Sequence, residues 1–499
     1  MTTITIPRLG ARWIVEYARR PLNVVLLIVV PIVFVTLSAG ALADFADILA
    51  GDGARPGEVE AATAAWAAAV LAGVAAFFHV SESRDADRRL AAAGMGAARV
   101  VASRFVSTLA LALAASAGAL LALGVRTDVA TSSRVVGATV LSAVIYTGLG
   151  GLVGAFVRSE MNGSLVIVFA WIFDVFFGPA MGGTNAWLRV FPLHYPTLVI
   201  SGVVSGHGGP LGDLGISIGW GVVSLTVAAM ALITTTGSRR RRHLLTLHRP
   251  RPHRFAAAFA AAARQLRRMP VLWLLVVGLP MAFISASIAV TPDDLTPVEL
   301  AEQGRRSLSL QSMADVHGAV MVPITIGFLA SLAGLFVVLD AAQADRRLAL
   351  AGYRPGEILI VRMATIAAAT LIATVVGLAV TSVSFDAVNW WMFGVANLIV
   401  GLTYATIGVL VGPIFGRLGG LYLLLALPFI DIGLAQNAMF DAAPPSWGRY
   451  LPAHGAMRVL IDAAFTPGFD EAGALALALA WLIALGGMTA LLFRKVVTP

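Results

Sequence analysis

The sequence has no cysteine and a single lysine, Lys495. The first absence excludes a disulfide framework, thiol chemistry and any Cys-based metal site. The second goes with the lack of any G-x-x-x-x-G-K-[ST] run, which excludes nucleotide hydrolysis through a phosphate loop of that kind. Charge is scarce as well. Only 12% of residues are Asp, Glu, Lys or Arg, against 58% hydrophobic, too few to solvate the surface of a soluble chain of this length. Ten-residue segments of alternating hydrophobicity are missing, which argues against an outer-membrane barrel. No acid, base and nucleophile fall together in one candidate site, so the chain does not read as an enzyme on its own.

What the chain has instead is a recurring run of about 20 apolar residues, the length that crosses a bilayer as a helix. Candidate spans lie near 22–42, 62–82, 105–124, 134–157, 162–180 and 213–235. A second set lies near 270–290, 317–339, 363–383, 389–413, 418–436 and 472–493. The two sets are related by a repeat, which is read before any other pattern. Asp87-Arg88-Arg89-Leu90-Ala91-Ala92-Ala93-Gly94 returns 258 residues later as Asp345-Arg346-Arg347-Leu348-Ala349-Leu350-Ala351-Gly352. Arg104 and Arg362 follow at the same offset. The expected architecture is an all-α polytopic membrane protein of twelve transmembrane helices, arranged as two parallel six-helix repeats. Residues 1–237 form the first half, 238–254 a basic linker and 255–499 the second half.

Each half is expected to begin with an amphipathic helix on the membrane surface. In the first, Arg8, Arg12, Arg19 and Arg20 alternate with Leu9, Trp13, Ile14 and Tyr17; in the second the helix covers roughly 254–268. Ala41-Leu42-Ala43 resembles a signal-peptidase site, but the mid-chain counterpart of this first span cannot be a signal peptide, so both read as spans. With the N-terminus inside, 27 of the 35 Lys and Arg residues fall on the cytoplasmic side. That bias sets the orientation, with both termini cytoplasmic. It also accounts for the net charge of +8 without a nucleic-acid partner. The Arg239–Arg242 run belongs to the same bias, with contact to anionic lipid as a second role.

Three further features recur. On the outer side, Trp187-Leu188-Arg189-Val190-Phe191-Pro192-Leu193-His194 matches Trp447-Gly448-Arg449-Tyr450-Leu451-Pro452-Ala453-His454, in segments able to dip into the leaflet as re-entrant pieces. His194 and His454 lack paired ligands, so they read as structural or gating residues rather than a metal site. Asp174 and Asp431 occupy matching places in the fifth span of each half. Charge at membrane depth is costly and faces a cavity or partner, or else sits near the outer interface and caps the helix. The first reading makes the two carboxylates and the Pro-x-His segments a pathway and outer gate between the halves. Gly150 and Gly154 match Gly408 and Gly412, a small-residue spacing that permits close helix approach.

The surface helix before the first span, the charged loop after the second and the Pro-x-His segment before the sixth, all present twice, resemble an ATP-binding-cassette permease of the ABC-2 type. The chain is similar to fused tandem forms from actinobacteria linked to drug or antibiotic export. The resemblance implies two copies of a cytoplasmic ABC ATPase subunit, which would carry the ATP and Mg, with no cofactor in this chain. Residues 84–103 and 342–361 would then be coupling elements, through Arg84, Asp87, Arg88, Arg89, Gly94 and Arg104 in one half and Asp345, Arg346, Arg347, Gly352 and Arg362 in the other. It implies outward movement, across the cytoplasmic membrane, of an amphipathic or hydrophobic small molecule such as a drug, antibiotic or lipid-like compound. Two alternatives stay open. A major-facilitator-type secondary transporter also has twelve spans in parallel halves, and a non-transporting permease senses antimicrobial peptides for a signalling partner.

Overall fold

The computed structural model describes residues 6–50, 56–127, 132–181, 186–202, 211–237, 270–292, 294–302, 304–350 and 352–497. The basic linker and the expected second surface helix lie outside these residues. Contacts divide the chain into two compact units, Met1–Leu244 and Leu245–Pro499.

The first unit runs α1 (Ile6–Ala18), α2 (Pro21–Ala50), α3 (Pro56–Ser81), α4 (Arg84–Leu90), α5 (Ala97–Arg126), α6 (Ser133–Phe156), α7 (Glu160–Phe176), α8 (His194–Ser201) and α9 (Gly212–Gly237). Helix α3 is its core. Ala-rich and enclosed along its length, it packs on α2, α5, α6 and α7. Small residues let backbones meet there: a Cβ on Gly150 of α6 would overlap the carbonyl of Gly73 in α3. Helix α1 is amphipathic as its pattern requires. Leu9 and Trp13 pack on Val100, beside Leu90 and Met95, while its arginines stay exposed.

The second unit runs α10 (Pro270–Val290), β1 (Leu295–Glu302), β2 (Arg305–Ser312), α11 (Met313–Leu350), α12 (Pro355–Thr381), α13 (Trp390–Pro428), α14 (His454–Phe465) and α15 (Ala472–Val497). Its core is the pair α11 and α13. Gly408 repeats the role of Gly150, since a Cβ there would overlap the backbone of Ser331. Ser331 stands 258 residues after Gly73, so the close approach recurs at the same register.

Nine helices among the described residues are long and apolar enough to cross a membrane: α2, α3, α5, α6, α9, α11, α12, α13 and α15. The chain is accordingly a mainly helical multi-pass membrane protein. Three of the expected spans are not among these nine as separate helices. The span at 162–180 is α7, only 17 residues long. The span at 270–290, by contrast, is α10, an apolar helix of 21 residues. Those at 389–413 and 418–436 form one helical run broken at Gly416, where φ is 69°.

The second unit adds one element that is not helical. The longer loop of the second half is an antiparallel hairpin in which Leu295 pairs with Ser312 and Glu302 with Arg305. Gly304, at φ 73°, supplies the left-handed turn residue between the strands. The first unit has no room for a counterpart, because only residues 51–55 separate α2 from α3.

Candidate functional site

Each unit contains the same two polar constructions. The first sits where the repeated Asp-Arg-Arg segment leaves its long helix. In the first unit Asp87 on α4 accepts hydrogen bonds from Arg104 on α5, Nη2 to Oδ1 at 2.7 Å and Nε to Oδ2 at 2.9 Å. In the second, Arg362 on α12 donates to Asp345 at the end of α11, Nη2 to Oδ1 at 2.7 Å and Nε to the same oxygen at 3.2 Å. Fork-on-carboxylate geometry of this kind fixes direction as well as charge. Asp87, Arg104 and Asp345 are buried and Arg362 nearly so. Burial raises the Asp87 carboxyl above the usual aspartate range, and the hydrogen bond and charge of Arg104 oppose it.

Four residues expected on a docking surface thus face inward as two clamps, one holding each charged segment to the following helix. The other residues point elsewhere. Arg84 donates to the carbonyls of Gly154 and Val157. Arg88 is half-buried, donating to the Thr235 carbonyl at 3.2 Å and lying 3.7 Å from Asp85. Arg89, Arg346 and Arg347 are exposed, as are Ala92, Ala93 and Leu350. Gly94 (φ 96°) and Gly352 (φ 90°) end the two helical stretches in the left-handed region. A side chain there clashes with its own backbone, hence glycine at both positions. Each segment therefore presents a short helical end with cations and small apolar groups outward, pinned from below.

The first clamp has two partners that the sequence reading did not assign. The Arg104 guanidinium lies 3.6 Å from the centre of the Trp13 ring of α1. Its Nη1 donates to His79 Nε2 at 3.1 Å, and Ser107 Oγ approaches the same nitrogen at 2.7 Å. The second half has Val337 at the position of His79. Nothing in a single sequence marked Trp13 and His79 as neighbours of Arg104.

The second construction hangs each Pro-x-His segment from the core. Asp174 near the end of α7 accepts a hydrogen bond from the Tyr146 hydroxyl at 2.9 Å and another from the Leu193 backbone N–H at 2.9 Å. Asp431 accepts from the Tyr404 hydroxyl at 2.6 Å and from the Ala453 N–H at 2.9 Å. Leu193 and Ala453 are the central residues of Pro192-Leu193-His194 and Pro452-Ala453-His454. Both carboxylates are buried within their own units, at 2% and 0% exposure, so each acts first as a tether. His194 and His454 open α8 and α14, and Pro192 and Pro452 precede them at the bend. His454 Nδ1 pairs with Gln436 Oε1 at 2.9 Å. Burial and then the charges of Arg306 and Arg449 lower its pKa.

The tyrosines were missed, although a signal existed. Tyr146 and Tyr404 are separated by the same 258 residues and stand four before Gly150 and Gly408. Each puts its hydroxyl on the core face that the glycine brings against the neighbouring helix. No family model and no curated protein matches this chain.

Proposed function

We propose that this chain is the membrane-spanning permease of an ABC-2-type exporter, driven by two copies of a cytoplasmic ABC ATPase that dock on the segments around Arg89 and Arg346-Arg347. The observation that carries the reading is the repeated clamp. A docking element has to pass force to the spans without bending away, and a buried Asp–Arg pair beneath an exposed, cation-bearing helix end meets that need twice. The remaining features agree with it. Asp174 and Asp431 suspend the Pro-x-His segments, so a shift in the helices around them would carry those segments along. In this reading the chain has twelve spans in two parallel halves in the cytoplasmic membrane, with both termini inside. The second half's surface helix and the outer segments at leaflet depth belong to the same proposal. It moves an amphipathic or hydrophobic small molecule outward. ATP and Mg belong to the partner subunits.

The test is co-expression with candidate ABC ATPase subunits from the same genome. The permease alone is expected to show no ATPase activity, and the pair to co-purify with substrate-stimulated hydrolysis. Proton-driven transport by the chain alone would replace this reading with the secondary-transporter one.

A further inference from the structure

The second unit carries a device with no counterpart among the described residues of the first. Four charges, from α14, the two hairpin strands and the residue before α15, form an alternating ring on the hairpin side of α14. Arg458 of α14 donates from Nη1 to Glu299 Oε2 of β1 at 2.9 Å, and its Nε lies 3.4 Å from Glu471 Oε1, just before α15. Arg306 of β2 closes the ring, 3.7 Å from Glu299 and 3.3 Å from the same oxygen of Glu471. Arg458 and Glu471 are each 6% exposed. Two charges of each sign alternate, which offsets part of the desolvation that a single pair would bear alone, although Arg458 Nε and Nη2 make no hydrogen bond. The edge of β1 is fastened as well, since the Glu299 N–H donates to the Ala442 carbonyl at 2.9 Å. Between these fastenings lies a small cleft lined by Val298, Gln436, Asp441, Met457 and Arg458, among others.

The ring bears on the segment that Asp431 suspends. Gln436 binds both His454 and the Gly448 carbonyl, and Arg458 is one helical turn beyond His454. In the first half the residue four after His194 is Leu198, and α2 and α3 are too close in sequence to hold a hairpin.

We infer that the hairpin of the second half is a reversible latch. It clamps α14 and the 436–454 segment through the Glu299–Arg458–Glu471–Arg306 ring, and the described residues of the first half hold no such restraint. The latch is the part that opens when that segment moves relative to α11. Its use rests on the Pro-x-His segments being the outer closure of the pathway proposed above. Its existence does not.

Hydrogen–deuterium exchange of the purified full chain in lipid nanodiscs, without any ATPase, tests it directly. In the wild type the β1 amides, Glu299 included, should exchange slowly. Arg306→Gln, at a half-exposed position, and Glu471→Gln should each speed them about tenfold while α11 stays protected, and the double variant should add little to either. Raising salt to about 1 M on the unmutated chain should act in the same direction, because the exposed Arg306 arm is screened. Unchanged β1 exchange in both variants and in salt would overturn the latch. So would equal acceleration in α11, which would make the hairpin part of one rigid core. Either result would leave the permease reading standing, because no partner enters the measurement.

Discussion

Tyr146 and Tyr404 each spend their hydroxyl on a buried aspartate that also holds the backbone of a Pro-x-His segment. A phenylalanine would keep the packing and remove one hydrogen bond to a carboxyl group buried away from the surface. Such a loss costs about 1–3 kcal/mol. Tyr146→Phe and Tyr404→Phe should therefore each lower the unfolding temperature in detergent by several degrees, whereas Phe78→Leu, at a buried ring of α3, would report packing alone. The clamps predict a sharper contrast. Asp87→Asn leaves Arg104 buried without its counter-charge, a loss of about 3–5 kcal/mol. Arg104→Lys also loses the fork and the stacking on Trp13. Arg89→Glu, two residues from Asp87 but exposed, should change stability by no more than about 0.5 kcal/mol. Thermal unfolding of the three variants side by side checks this; equal losses would mean that the clamp is no more structural than the surface.

Among the elements, α3 with α6 and α11 with α13 decide how tightly each unit closes. Gly150→Ala would push a methyl into the Gly73 backbone, which cannot swing aside as a side chain can. Overpacking of that kind costs about 1–3 kcal/mol and more where backbone must move. Gly137→Ala on the same α6 meets nothing within 4 Å and should gain slightly from helix propensity, by roughly 0.5–1 kcal/mol. Expression and melting of the two variants should move in opposite directions. The pairing of glycines was legible from the 258-residue repeat, because small residues recurring at one offset have a packing meaning. The same comparison held the tyrosines, but an aromatic hydroxyl in an apolar run does not announce its partner. The Asp–Arg pairs were legible as repeated charges and illegible as clamps. A carboxylate 17 residues before an arginine reads as loop chemistry until the helix turn folds the two together. The β-hairpin was hidden because Pro297 and the run Arg305-Arg306-Ser307 weaken its alternation, and its first-half counterpart is too short to show it.

At the scale of the molecule, the repeat makes a counting prediction. If the proposed ATPase docks on the clamped segment of each half, its two sites are separate and each can be removed alone. Arg89→Glu acts on the first and Arg347→Glu on the second, and both positions are exposed, so neither change touches a buried charge. The bilayer and the fold are left as they were, while a surface cation that meets an acidic partner becomes repulsive. Native mass spectrometry of the co-expressed complex should then find two ATPase copies on the wild-type chain, one on either single variant and none on the double. Substrate-stimulated hydrolysis should be lost in both single variants if the two copies work as a pair. A double variant that still holds two copies would place the docking surface elsewhere. One that holds a single copy would mean that the repeat built two clamps but only one of them serves a partner.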